Sequence, residues 1–193
     1  MKLVRFLMRM VIGGLFVGHG TQKLYGWFGG HGLEGTGQAF EGLGMRPGRR
    51  NAMAAGVAET AGGAALAVGL ATPLAAAALV GTMLTAINRV HLKAGPWASN
   101  GGYEYNLVLI FAVLALTETG PGELSLDAAL GREKSGTGWA LAAAGAGVAG
   151  AVGVHLLAEA TPAPQESPAP APQSAAPATE STAPTPETAP TGR

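Results

Sequence analysis

Apolar positions along the chain come in long unbroken stretches, separated by short glycine-, proline- and charge-bearing segments. Residues 10–18, 60–88, 105–117 and 139–154 contain no Asp, Glu, Lys or Arg. Such stretches predict membrane-crossing helices, because about 20 apolar residues at about 1.5 Å each cover a hydrocarbon core of about 30 Å. The expected elements are a span over 3–25, a Gly-rich loop to residue 50 with a short interfacial helix over 37–43, and further spans over 51–70, 74–90, 103–119 and 139–158. The link "ATP" between the second and third spans is so short that they must run antiparallel. Pro73 then falls at the turn or in the first turn of the new helix, where its missing N–H costs nothing. The last span, rich in Ala and Gly, is the weakest inserter, and Gly145, Ala149 and Gly153 give it a small-residue face for a neighbour.

The fold class is therefore all-α: an integral membrane four-helix bundle with an added fifth helix. In domain terms the bundle occupies 1–130, a linker 131–138, the extra helix 139–158 and a tail 159–193. From Thr161 onward there is no aromatic residue and no Leu, Ile, Val or Met, so the tail reads as disordered.

Composition sharpens this picture. Of 193 residues, 48% are hydrophobic and 12% charged, against about 25% charged in a soluble domain. The lipid bilayer is the first partner implied. Net charge is zero and no basic stripe is present, which argues against nucleic acid. The absence of cysteine excludes disulfides, thiolate metal sites and cysteine-held clusters, so any redox chemistry must use a non-covalent cofactor or a partner. The single His-x-x-Glu match, His31 to Glu34, falls in a Gly-rich loop, and no metal site is expected.

A few polar residues inside the spans carry the candidate chemistry. At about 100° per residue, Arg5, Arg9, His19 and Lys23 share one face of the first span. The simplest expectation has Arg5 and Arg9 snorkelling to one interface and Lys23 to the other. Glu59 lies near the middle of the second span with Gly56 and Gly63 on its side. A carboxylate at that depth should be buried, and paired, protonated or hydrated. Arg89, near the end of the third span, is expected to pair with Glu104 at the start of the fourth as a structural tie. Trp27, Trp97, Tyr103 and Tyr105 suit interfacial anchoring.

Three stretches, "RFLMRMVIGGLFVGHGTQKLYGWFGG", "GVAETAGGAALAVGLATPLAA" and "VHLKAGPWASNGGYEYNLVLIFAVLALTETGPGELSLD", together resemble the DoxX family of small bacterial membrane proteins. The resemblance covers about residues 3–130. It implies a four-helix membrane bundle, some relatives being subunits of thiosulfate:quinone oxidoreductases and others linked to membrane-associated oxidoreductase complexes. On that footing the expected function is a membrane subunit of a redox complex that binds quinone or docks a soluble oxidoreductase. His19, Lys23, Trp27 and Glu59 would hold the quinone headgroup. The alternatives are a non-catalytic scaffold or assembly protein and, less favoured, a small proton-coupled transporter using Glu59. Lys2, Arg5, Arg9, Arg132 and Lys134 favour a cytoplasmic N terminus and an extracellular tail, against the opposing charges of Arg46, Arg49, Arg50 and Lys93.

Overall fold

The computed structural model describes residues 2–161, and their secondary structure is entirely helical. Four long helices match the expected spans closely: α1 (Lys2–Tyr25), α3 (Gly48–Val68), α4 (Thr72–Ala86) and α5 (Glu104–Thr119). The interfacial helix, α2 (Gly32–Gly42), starts earlier than expected. A one-turn helix, α6 (Leu126–Ala129), was not anticipated, and α7 (Thr137–Ala160) closes the described region. The tail expected over 159–193 lies, from residue 162, outside the described residues.

Three helical segments are long and apolar enough by themselves to cross a membrane: Lys2–Tyr25, Thr72–Ala94 and Thr137–Ala160. The second is α4 carried on by a π-helical stretch, Ile87–His91, and a 3-10 turn, Leu92–Ala94. α3 is long enough, but Glu59 and its glycines dilute its apolarity. α5 is stopped at 16 residues by Gly120 and Pro121. Large apolar side chains are turned outward on several helices, among them Leu74, Phe111, Leu141 and Leu157. An exterior so rich in hydrocarbon belongs in lipid.

The α1–α3 contact is the tightest in the bundle, and its sequence cause is a pair of glycines seven residues apart on each helix. Gly13 faces Gly63 and Gly20 faces Gly56, which makes the helices antiparallel. A Cβ at Gly13 would lie 2.5 Å from the Gly63 carbonyl oxygen, and one at Gly63 would lie 2.6 Å from that of Gly13. Only hydrogen fits at these positions, and the close approach replaces the hydrophobic drive that lipid cannot supply between helices. Phe16, fully buried beside Gly63, links this seam to a core built from Leu66, Leu79, Val80, Val113 and Leu116.

α4 returns antiparallel after a turn in which Gly69 and Ala71 both take left-handed backbone, φ 68° and 47°, with Pro73 in the first turn of the helix as expected. α7 runs parallel to α4, since Gly81 lies beside Gly147 and Arg89 beside His155. It packs through Ala140, Ala143, Gly147 and Ala158. The face expected to pack is a different one: nothing approaches Gly145 or Gly153. Both stripes are small, but only the Gly147 stripe is also in phase with Gly81 and Val80.

Candidate functional site

Polar side chains gather at both ends of the bundle. At the C-terminal end of α1, the Lys23 ammonium donates to Glu59 Oε2 at 2.6 Å and to the His19 carbonyl at 3.3 Å. The Glu59 side chain is 4% exposed and that of Lys23 24%. Gly20 and Gly56 make the pair possible, because their lack of side chains lets α3 approach α1 within reach of a lysine one turn further on. Lys23 has three N–H donors and these contacts use two.

His19 extends the cluster. Its Nδ1 lies 3.1 Å from Gln22 Oε1, while Gln22 Nε2 donates to the Phe28 carbonyl at 3.2 Å. The second bond fixes the amide orientation, so His19 Nδ1 carries a proton and donates it to Gln22 Oε1, leaving Nε2 as the other polar atom of the ring. Trp27 stands apart from this hydrogen-bonded group. It is 57% exposed, and its ring neighbours are Tyr25, with centroids 5.3 Å away, and Phe28, 6.4 Å away. His19, Lys23 and Glu59 are thus brought together, with Trp27 in an outward aromatic trio beyond the end of α1.

At the other end of α1, about 21 Å away by helical rise, Arg9 is fully buried. It does not snorkel. Its guanidinium donates to the Pro121 carbonyl at 2.7 Å and to the Leu124 carbonyl, both in the α5–α6 connection. Next to it, Asp127 accepts from the backbone N–H groups of Ala71 and Thr72 at 2.8 and 3.1 Å and from the Thr72 hydroxyl at 3.1 Å. These are the orphan donors at the start of α4. The Asp127 N–H in turn donates to the Gly69 carbonyl. Sequence reasoning missed this clamp. The signal was the "GPGELSLD" block, whose glycines and proline read only as a helix stop, while they also turn two carbonyls toward Arg9.

The expected Arg89–Glu104 tie is not made. Arg89 Nη2 instead lies 2.7 Å from His155 Nδ1 on α7. Glu104 joins no ion pair among the described residues; its backbone N–H donates to the Pro96 carbonyl at 2.8 Å. The physical reason is helix phase: Arg89 follows Thr85 by one turn on the side of α4 that meets α7 at Gly81, so its guanidinium reaches His155 and not α5. Among the described residues there is no group of three or more His, Asp or Glu that could hold a metal ion.

A helical bundle with a lipid-facing exterior, a glycine seam and an ion pair buried between α1 and α3 defines a small helical membrane protein. Residues 4–92 match the DoxX family. A Bacillus subtilis (strain 168) protein named "Putative oxidoreductase CatD" is 36% identical over 121 residues, which cover 63% of this chain and 82% of that protein. The chain belongs to the DoxX family. No solved structure matches it.

Proposed function

We propose that this chain is the membrane subunit of a redox complex, and that His19, Lys23 and Glu59 hold a quinone headgroup at the end of α1. The observation that carries this reading is the nearly buried Glu59 carboxylate, 2.6 Å from a lysine that keeps one donor free. Glu59 positions Lys23, and the remaining N–H of Lys23 is the donor for a quinone carbonyl. His19 Nε2 supplies an acceptor for the hydroxyl of the reduced form. The cofactor carries the electrons, and the protein supplies orientation and polarity. A chain without cysteine needs an electron donor from outside, and a soluble oxidoreductase docked at the same membrane face fits that need. The name of the Bacillus relative agrees in kind.

The test is the quinone content of protein extracted in mild detergent. Wild type is expected to retain quinone, and Glu59→Gln and Lys23→Ala to lose about tenfold in retention, equivalent to about 1.4 kcal/mol of binding. Quinone missing from wild type, or unchanged in both variants, leaves the scaffold reading, in which the cluster only ties helices.

The same reading puts the chain in the cell membrane as a multi-pass protein with a cytoplasmic N terminus. The alternation of α1, α3, α4, α5 and α7 carries the end of α7 to the opposite side. Because cysteine is absent, single replacements report this cleanly. Lys2→Cys and Gly131→Cys should resist a membrane-impermeant maleimide in intact cells while Gly44→Cys reacts; the reverse pattern inverts the topology.

A further inference from the structure

Above the Gly81–Gly147 contact, α4 and α7 leave a lateral groove of about 270 Å³, lined by Leu84, Thr85, Asn88, Val148, Val152 and His155. Its lower walls are hydrocarbon. At its upper end stand Asn88 and His155, backed by Arg89. The guanidinium can only donate, so His155 Nδ1 accepts from Arg89 Nη2 at 2.7 Å and the ring N–H is at Nε2, 3.2 Å from Glu159 Oε1. Arg89 is half-buried, yet among the described residues no carboxylate lies within 4.0 Å of it. Glu159 reaches it only through the imidazole. Arg89 Nε is also buried without a hydrogen-bond partner.

A cation in this position wants an anion, and the groove below it wants a hydrocarbon chain. The geometry points to a binding site for an anionic phospholipid of the surrounding bilayer, its phosphate accepting from Asn88 and Arg89 and one acyl chain between α4 and α7. Basic pockets between transmembrane helices take anionic headgroups for the same reason. A neutral amphiphile such as a quinone would fill the groove but leave Arg89 uncompensated. The site is assembled jointly by the family-matched segment, which ends at residue 92, and by α7. Arg89 stands one turn beyond Thr85 on the face of α4 that meets α7 at Gly81, which places its charge at the head of the groove.

The full chain, purified in mild detergent and delipidated, is titrated with phosphatidylglycerol or phosphatidylcholine and followed by native mass spectrometry. Wild type should retain phosphatidylglycerol about fivefold better than phosphatidylcholine, the effect of about 1 kcal/mol from one basic residue near an anionic headgroup. Arg89→Gln should abolish the preference and Arg89→Lys should restore most of it. Val152→Trp blocks the groove without touching Arg89 or His155, and should lower retention of phosphatidylglycerol. Equal retention of the two lipids by wild type overturns the proposal, as does undiminished phosphatidylglycerol retention in Val152→Trp, which also decides the matter if Arg89→Gln does not fold. Quinone displacing phosphatidylglycerol from wild type but not from Val152→Trp would overturn it as well.

Discussion

Arg9→Met should destabilise the bundle by about 3 kcal/mol, read as a lowered midpoint of denaturant unfolding in detergent. Methionine keeps much of the volume, so the loss reports the polar contacts and not a cavity. Arg9 donates to the carbonyls of Pro121 and Leu124, and a hydrogen bond to a charged group is worth about 1.5 to 3 kcal/mol. Losing the buried cation offsets part of this, because its Nε has no partner, which keeps the expected value at the low end. The α5–α6 connection should loosen with it, since Arg9 supplies the buried contacts between α1 and that turn, the Lys2–Glu123 ion pair beside them being exposed. Arg9→Lys keeps the charge but has no planar fork to reach both carbonyls, so it should fall between wild type and Arg9→Met. A midpoint for Arg9→Met equal to wild type would show that the clamp contributes nothing to stability.

Glu59→Leu removes the partner of a lysine buried between α1 and α3. Breaking a fully buried pair on one side costs about 3 to 5 kcal/mol. Here the cost should be nearer about 2 to 3, because the Lys23 side chain is 24% exposed and can move toward the interface. Glu59→Gln retains an acceptor for Lys23 and should lose only about 1 kcal/mol, so this variant can separate ligand binding from folding. The double variant Glu59→Leu, Lys23→Leu should regain stability over Glu59→Leu alone, since no uncompensated charge is left. If it is no more stable, the two residues are not energetically coupled and the pair cannot be the centre of the site.

How much of this was legible beforehand differs by element. The boundaries of α1, α3, α4, α5 and α7 followed from runs of apolar residues broken by Gly and Pro, because the bilayer fixes the length and polarity of any crossing helix without reference to its neighbours. Burial of Glu59 was legible for a similar reason: a carboxylate in the middle of an apolar run is too costly to leave facing lipid. The DoxX resemblance was legible as well: the family match over 4–92 covers the first two of the three stretches that carried it, and ends at the start of the third.

Partners were another matter. Arg9 looked like a snorkelling residue because it is only two turns from the N terminus. Its burial depends on carbonyls at 121 and 124, more than a hundred residues away, which no local pattern reveals. Asp127 drew no reading of its own from the sequence, yet it supplies the first donors of α4 with their acceptor. Arg89 was assigned to Glu104 on charge and proximity in sequence, whereas its side of α4 meets α7 and His155. On α7 the Gly145 stripe and the Gly147 stripe are equivalent as sequence, and only the position of Gly81 on α4 chooses between them. The sequence alone thus determined which segments are apolar helices and which polar groups must not face lipid, since both follow from transfer from water to hydrocarbon. Which charge meets which acceptor was decided by the rotation and separation of packed helices, quantities set jointly by the glycines of α1 and α3, the turn at Gly69 and the Gly81–Gly147 contact of α4 with α7.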